Sequence, residues 1–271
     1  MKFKQRVVLC ALTLVLALGM GLTAIAAPQN TLEKVKSTGK LVAGVKFDAP
    51  PFGFVDESGK VVGFDIDVAQ YIADYLGVEL ELKQVTSKTR IPMLTEGTVD
   101  MVVATMTHQK ARDENIDFSI TYFFTGQRLL VKKGSGIKSV EDLAGKTVST
   151  VQGSTSEHNI AKAQPKAKIL TFQEYPQAFL ALQQGRAQAM TTDASILAGF
   201  VKEGYEIVGP FIAPEPYGIG VRENDSDFRD AINFALMEMW ETGVYKKVYN
   251  KWFGPNSDYP IPLGGEIEVW P

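Results

Sequence analysis

The sequence MVVATMTHQKARDENIDFS, residues 101–119, joins an apolar run to a polar turn and a second short strand. The run MVVA predicts a buried strand, and Thr105 and Thr107 follow at its carboxyl end, where open α/β sheets bind ligands. Arg112 comes five residues after Thr107, and a guanidinium can hold a carboxylate through two parallel hydrogen bonds. The stretch therefore predicts an α/β sheet with a candidate anion site. A turn with a solvated arginine is the alternative that these residues leave open.

Composition and charge are those of an ordinary soluble protein. The chain has 271 residues, of which 45% are hydrophobic and 22% are charged, so it can form one large domain or two smaller ones. Its 28 basic residues stand against 31 acidic ones, which gives a formal net charge of −3. Because this balance provides no basic surface for nucleic acid, we expect no nucleic-acid partner.

Residues 1–26, MKFKQRVVLCALTLVLALGMGLTAIA, predict a cleaved secretory signal peptide. Three basic residues precede an apolar run that ends in the small-residue pattern AIA. A membrane anchor is the alternative, but two glycines interrupt the run early. The only cysteine, Cys10, lies inside this segment, so the mature chain carries no thiol. We therefore expect a periplasmic or extracytoplasmic location.

A helix is predicted directly after residue 63, in the run GFDIDVAQYIADYLG. Its apolar residues recur at helical spacing, and Gly77 suits the left-handed position past a helix end. Asp65 and Asp67 fall in the first turn, where an acid is favourable against the helix dipole. We expect both to be capping groups.

Three further segments carry a charged or hydroxyl side chain at the end of a predicted strand or the start of a predicted helix. Lys46 ends the predicted strand KLVAGV, before a proline-containing loop that carries Phe52. Arg90 precedes Pro92 at a predicted helix start, where a bound anion is favoured but an arginine is not. Residues 153–155, Gly-Ser-Thr, predict a strand-to-helix turn whose free N–H groups suit an anion. The alternatives are a core position for Phe52, a surface charge for Lys46 and for Arg90, and a plain helix cap for residues 153–155.

Three runs together resemble the family 3 extracellular solute-binding proteins, the polar amino-acid receptors of ABC importers. They are GFDIDVAQYIADYLG (63–77), ATMTHQKARDENIDFS (104–119) and NKWFG (250–254). The similarity covers essentially the whole mature chain. It implies a monomer that passes its ligand to a membrane permease, and it implies no metal or cofactor.

The resemblance also implies a two-lobed α/β fold of the periplasmic-binding-protein (Venus flytrap) type. Lobe 1 would comprise residues 27–125 and 220–271, and lobe 2 residues 126–219. The chain would cross between the lobes twice, in a strand at 127–131 and in a returning strand at 217–221. Two crossings would make a hinge.

The family's pattern assigns the ligand's α-carboxylate to both lobes. In lobe 1 it matches Arg112, Thr107 and the backbone amides near Thr105. In lobe 2 it matches Thr155 and Ser154. These assignments are implied by the resemblance and make the candidate anion site an amino-acid carboxylate site.

The remaining assignments concern the ligand's ammonium and side chain. Asp193 matches the aspartate that pairs with the α-ammonium, although an aspartate at a helix start could simply cap that helix. Lys46 and Arg90 match positions that face the distal carboxylate in relatives binding acidic amino acids. An uncompensated buried cation facing a neutral amide would be costly, so glutamate or aspartate is the expected ligand. Glutamine and arginine are the alternatives.

Aromatic walls around the ligand side chain are only partly present. The positions that match the family's usual aromatic pair hold Ala49 and Ser87. We expect Phe47 or Phe52 to supply a wall instead, and Tyr175 to face the cleft, with a place at the edge of the core as the alternative for Tyr175.

An enzyme is the competing functional class, because the same fold can host a lyase such as a cyclohexadienyl dehydratase-like enzyme. No nucleophile–base pair or metal-ligand spacing occurs in the sequence, and His108 is the sole acid–base candidate near the predicted site. The sequence therefore predicts a binding protein and not an enzyme.

Overall fold

The structure is a computed structural model, and residues 30–270 are described. It contains two mixed sheets, each flanked by helices, and a small antiparallel sheet of three short strands between residues 48 and 62. The predicted signal peptide, residues 1–26, lies outside the described residues. Within residues 30–270 no helix is long and apolar enough to cross a membrane. The predicted two-lobed α/β class is confirmed.

The strands and helices alternate along most of the chain. The strands are β1 (Lys40–Val45), β2 (Asp48–Ala49), β3 (Gly53–Val55), β4 (Val61–Val62), β5 (Glu79–Gln84), β6 (Met101–Val103), β7 (Ile116–Phe118), β8 (Phe123–Lys132), β9 (Thr147–Val151), β10 (Lys168–Phe172), β11 (Ala189–Asp193), β12 (Tyr205–Val208), β13 (Pro214–Tyr217) and β14 (Gly220–Arg222). The helices are α1 (Thr31–Thr38), α2 (Phe64–Leu76), α3 (Arg90–Thr95), α4 (Lys110–Asp113), α5 (Thr155–Ala163), α6 (Tyr175–Gln183), α7 (Ala194–Ala198), α8 (Ser226–Glu241) and α9 (Val244–Phe253). A 3₁₀ turn at Val140–Leu143 carries the capping box that its sequence favours.

The first lobe is organised on a sheet of strand order β5-β1-β6-β14-β7. β1 runs parallel to β5 and β6, whereas β14 runs antiparallel to β6 and β7. Strand β6 is buried along its whole length, as the run MVV predicts for a central parallel strand. The polar turn that contains Thr105 and Thr107 follows its carboxyl end.

Helix α2 packs its apolar residues onto this sheet. Val68, Ile72 and Ala73 are fully buried, and Gly77 closes the helix with a φ of +71°. The predicted capping role of the two aspartates is wrong, because neither side chain bonds the helix terminus. Asp65 bonds residues outside the helix, and Asp67 accepts from Lys251 and Trp252.

The second lobe has a sheet of order β10-β9-β11-β8-β12. Its strands β9, β10 and β11 are parallel, and β8 runs antiparallel to β11 and β12. The carboxyl ends of β9 and β11 lead into α5 and α7. Polar residues at the starts of these helices therefore share one edge of the lobe with the end of β11.

The strands β8 and β13 connect the lobes. The first four residues of β8 pair antiparallel with β13, and the rest of β8 belongs to the second sheet. The predicted returning strand at 217–221 is wrong in its extent, because Tyr217 ends β13 and Gly220 begins β14 in the other sheet. The chain changes sheets at this point, so no single strand can span it.

Candidate functional site

The polar residues predicted for the ligand site are all buried. Charged side chains are rarely buried without partners, so their burial needs a compensating contact. Each of them follows a strand or begins or lies in a helix at the facing edges of the two lobes. They are Lys46, Arg90, Thr105, Thr107, Arg112, Ser154, Thr155, Tyr175 and Asp193.

Arg112 reaches both lobes. Its Nη1 donates to the carbonyl oxygen of Thr107 at 2.9 Å, and its Nη2 donates to that of Gly153 in lobe 2 at 3.3 Å. Burial lowers the pKa of Arg112 to about 9, and the nearby positive charge of Arg90 acts in the same direction. The guanidinium is charged at neutral pH, and a bound anion would stabilise that charge.

The turn after β6 is arranged differently from its prediction. Thr105 has a φ of +47°, a strained value for a threonine. Its N–H donates to Asp65 Oδ2 at 3.0 Å, and the Tyr122 hydroxyl donates to Asp65 Oδ1 at 2.8 Å. The Thr105 amide is thus taken by a carboxylate of the protein, whereas its buried Oγ1 has no partner among the described residues.

Asp193 supplies a buried carboxylate from the end of β11. Its Oδ2 accepts the Tyr217 hydroxyl, and its buried Oδ1 has no partner in the described part of the chain. Its side chain makes no capping bond to α7, so the capping alternative is not supported. Burial raises the pKa of Asp193 to about 8, the negative charge of Glu215 adds to this rise, and Tyr217 opposes it. A cation beside Oδ1 would stabilise the ionised form.

Glu215, on the hinge strand β13, was missed by sequence reasoning. It is fully buried, and its Oε2 accepts the hydroxyls of Thr107 from lobe 1 and Thr155 from lobe 2, the latter at 2.8 Å. Its Oε1 accepts from Asn159 Nδ2 at 3.0 Å. Both predicted threonine hydroxyls therefore bond this carboxylate. The one local signal is an acid between two prolines beside Tyr217.

Lys46 is a second buried cation of the cluster. Lys46 Nζ donates to Ser87 Oγ at 3.0 Å, lies 3.7 Å from Asp48 Oδ1 and sits 4.9 Å from the centre of the Tyr175 ring. Burial lowers the pKa of Lys46 to about 8, and Asp48 opposes this shift. Asp48 was also missed, although only one residue separates it from Lys46.

Arg90 is bound mainly by backbone carbonyls. Its Nη1 donates to the carbonyl oxygens of Ala104 and Thr105 at 2.6 and 3.1 Å. Its buried Nε has no partner among residues 30–270. The side chain is 2% exposed, and burial lowers its pKa.

Two predicted site residues do not join the cluster. The Ser154 hydroxyl donates to the carbonyl oxygen of Val151 and accepts from the N–H of Glu157, so it caps α5. Phe52 is fully buried in an aromatic core, with its ring 4.9 Å from Phe123. Local cap and core contacts account for these side chains, and their predicted roles toward a ligand stay predictions.

The two lobes touch across the cleft, so the structure is a closed conformation. Asp48 Oδ2 of lobe 1 accepts the Tyr175 N–H of lobe 2 at 3.0 Å. Gln84 Nε2 of lobe 1 donates to Glu174 Oε1 of lobe 2 at 3.4 Å. Within the described residues, no group of His, Cys, Asp and Glu side chains could hold a metal ion.

A comparison with protein-family models matches residues 41–255 to the bacterial extracellular solute-binding proteins, family 3. The chain belongs to this family. Membership agrees with the predicted export of the protein, while the signal peptide itself lies among residues that the structure does not describe.

Several amino-acid-binding proteins are similar to the chain in sequence or in structure over most of its length. It is 47% identical to the ABC transporter glutamine-binding protein GlnH of Bacillus subtilis, over 83% of this chain and 85% of the relative. It is 32% identical to the L-glutamate/L-aspartate-binding protein of Pseudomonas aeruginosa, over 87% and 82%. An ancestral arginine-binding protein bound to glutamine superposes with a TM-score of 0.77 at 45% identity, covering 80% of this chain and 98% of that one. These relatives are named as binding proteins, in agreement with the prediction of a binding protein.

Proposed function

We propose that the protein binds polar L-amino acids, with the highest affinity for L-glutamine, and delivers its ligand to the permease of an ABC importer. The observation that carries this proposal is a buried guanidinium and a buried carboxyl group from different lobes, and a bound ammonium would keep that carboxyl group ionised. Arg112 belongs to lobe 1 and Asp193 to lobe 2. An α-amino acid carries a carboxylate and an ammonium on one carbon, which is the charge pattern that such a pair would complement.

Unpaired buried atoms support the same placement. Asp193 Oδ1, Thr105 Oγ1 and Arg90 Nε are buried without partners among the described residues. A buried polar atom without a hydrogen bond costs roughly 1–3 kcal/mol, so a bound ligand that satisfies several of them gains affinity. We assign Asp193 to the ammonium and Arg112 to the carboxylate. Arg90 is assigned to the distal end of the ligand.

Charge compensation at the distal end favours a neutral amide over a carboxylate. The preference for an acidic ligand depended on Lys46 being an uncompensated cation, but Asp48 lies 3.7 Å from its Nζ. The buried cluster holds three cations and four carboxyl groups, and because Asp48 already neutralises Lys46, a further carboxylate at the distal end would be repelled by Asp48. The cations are Lys46, Arg90 and Arg112, and the carboxyl groups are those of Asp48, Asp65, Asp193 and Glu215. The name of the 47% identical relative also supports glutamine.

Glutamate is the second candidate, followed by aspartate. Two cations, Lys46 and Arg90, lie near the distal end, and the free Nε of Arg90 could donate to a carboxylate. A relative that is 32% identical is named for glutamate and aspartate. Arginine is disfavoured because its guanidinium would face both cations.

Closure of the cleft would complete the site. We assign the first contacts to Arg112 in the open form, with Asp193 and the amino terminus of α5 added when lobe 2 closes on the hinge strands. A monomer that docks its closed form on the permease is the proposed transport state.

Isothermal titration of the mature protein, residues 27–271, tests the proposal. The protein is unfolded, freed of ligand by dialysis, refolded and titrated with L-glutamine, L-glutamate, L-aspartate and L-arginine. We expect glutamine to bind most tightly and arginine most weakly. Absence of binding to all four would contradict the function, and tighter binding of glutamate would make the acidic ligand the right one.

A second prediction concerns closure at Gly199. A Cβ at this position would overlap the carbonyl oxygen of Pro50 across the cleft, yet its φ of −67° is helical and suits alanine. We expect Gly199→Ala to weaken glutamine binding by about 10-fold or more, a penalty of about 1.4 kcal/mol or more. The unfolding temperature of the ligand-free protein, which reports on the separate lobes, should not fall. Unchanged affinity would mean that the ligand is held in a less closed form.

A further inference from the structure

Asp48 is a buried carboxylate that lies outside the proposed clamp for the ligand's carboxylate and ammonium, the pair Arg112 and Asp193. It is 7% exposed and lies on β2, in the loop between Lys46 and Phe52. Its Oδ1 lies 3.7 Å from Lys46 Nζ, and its Oδ2 accepts the Tyr175 N–H at 3.0 Å. The same side chain thus contacts a buried cation of lobe 1 and the first residue of a helix in lobe 2.

We propose that Asp48 determines ligand selectivity by neutralising Lys46, so that the cleft accepts a carboxamide and disfavours a carboxylate. The inference rests on the proposed function and refines it to one residue. Asp48 acts here through Lys46, and its contribution is to set the charge that the distal end of the ligand meets.

Asp48 is the nearest and strongest source of negative charge for Lys46, and the carboxylates of Glu174 and Asp65 act on it from farther away. Among residues 30–270, no other carboxylate lies within 4.0 Å of Lys46 Nζ. Its two other neighbours are the neutral Ser87 hydroxyl and the face of the Tyr175 ring. A buried ammonium without a close counter-charge is costly, so without Asp48 a ligand carboxylate would be favoured beside Lys46.

Geometry leaves Lys46 able to bind a ligand while Asp48 neutralises it. The distance of 3.7 Å is an ion pair without a short hydrogen bond, and one of the three ammonium donors is used by Ser87. A carboxamide oxygen can accept a remaining N–H from a pair that is neutral overall. A carboxylate in the same place would gain the same hydrogen bond but would be repelled by Asp48.

The contact with Tyr175 keeps Asp48 in this role in the closed form. Tyr175 begins α6, and the N–H groups of a helix amino terminus favour an anion. Closure therefore places the Asp48 carboxylate against the amino terminus of α6. The negative charge beside Lys46 is fixed by the same movement that encloses the ligand.

The test compares the Kd values for L-glutamate and L-glutamine in the mature protein and in Asp48→Asn. Asparagine keeps an oxygen that can accept the Tyr175 N–H but removes the charge. We expect the ratio Kd(glutamate)/Kd(glutamine) to fall by about 10-fold or more, which is about 1.4 kcal/mol. Asp56→Asn is the matched control, because Asp56 bonds only Ser58 and Lys60 in its own turn. Its ratio should equal that of the wild type.

The reverse change guards against an Asp48 variant that does not fold. Lys46→Met removes the cation and leaves Asp48 to repel a carboxylate, so the ratio should rise by about 10-fold or more. An unchanged ratio in a folded Asp48→Asn or Lys46→Met variant would overturn the inference. A wild-type protein that binds neither amino acid would instead contradict the proposed function.

Discussion

Asp193→Asn is expected to weaken L-glutamine binding by about 100-fold or more, because it removes the negative partner of the ligand ammonium. Removing one member of a buried charge pair typically costs about 3–5 kcal/mol, and 1.4 kcal/mol corresponds to a factor of ten. The asparagine is nearly the same size as the aspartate and can still accept the Tyr217 hydroxyl. The loss would therefore report the missing charge. Isothermal titration of variant and wild type measures it.

The same variant should be more stable than the wild type when no ligand is bound. Burial raises the pKa of Asp193 from 3.8 to about 8, so between these values the folded protein holds a proton that the unfolded chain has lost. Because the folded state binds more protons, the free energy of unfolding falls as the pH rises through this window. Asparagine has no such dependence. At pH 7.5 we expect its Tm to lie about 2 °C or more above the wild type.

Thermal unfolding at pH 5 and pH 7.5 checks this second effect. The wild-type Tm should decline more between the two values than that of Asp193→Asn. Asp74→Asn, at an exposed helix position, is the control and should follow the wild type. A variant that binds glutamine as tightly as the wild type would remove Asp193 from the ammonium site. A variant less stable at pH 7.5 would show that the buried carboxylate is compensated without ligand.

The fold and the cation of the clamp could be predicted because their signals are local. The apolar run of β6, its polar turn and Arg112 occupy fewer than twenty consecutive residues, and the structure has the buried strand and the buried arginine that the sequence indicates, although the turn between them is arranged differently. Asp193 was found only through its resemblance to a family pattern. By local rules alone it could equally be a helix cap.

Asp65 and Glu215 could not be predicted, because their partners are distant in sequence. Asp65 bonds Thr105 and Tyr122, 40 and 57 residues away, and Glu215 bonds Thr107, 108 residues away. Local reasoning assigned Asp65 to the nearest helix start. Ser154 shows the opposite case, because its hydroxyl makes the local cap contact that its own sequence predicts, and its role toward a ligand depends on the family pattern alone.

Arg112→Lys is expected to weaken glutamine binding by about 100-fold, although it keeps the positive charge. The guanidinium donates to the carbonyl oxygens of Thr107 and Gly153, and its planar fork can still bind a carboxylate. An ammonium is a single point charge with three donors and cannot reproduce that geometry. Isothermal titration measures the loss. Arg128→Lys is the control, because the Arg128 Nε bonds the Gly209 carbonyl within lobe 2, and its affinity should not change.

Comparison with Arg112→Met separates geometry from charge. Methionine removes the positive charge that counteracts the raised pKa of both Asp193 and Glu215, so it should bind glutamine more weakly than the lysine variant. If the lysine variant bound like the wild type, charge alone would explain the site and the bidentate geometry would be excluded.

Because Arg112 bonds both lobes, its position also predicts whether Arg112→Lys changes the association rate or the dissociation rate of the ligand. Arg90 bonds carbonyl oxygens of lobe 1 only, whereas Arg112 bonds one carbonyl in each lobe, so of these two cations Arg112 is the one that links the carboxylate site to closure. A lysine at this position retains the charge that attracts the ligand to the open cleft, and the association rate should stay within a few-fold. Its missing contacts belong to the closed form, so the lost affinity should show as faster dissociation in stopped-flow measurements. A slower association with unchanged dissociation would place the role of Arg112 in the open form.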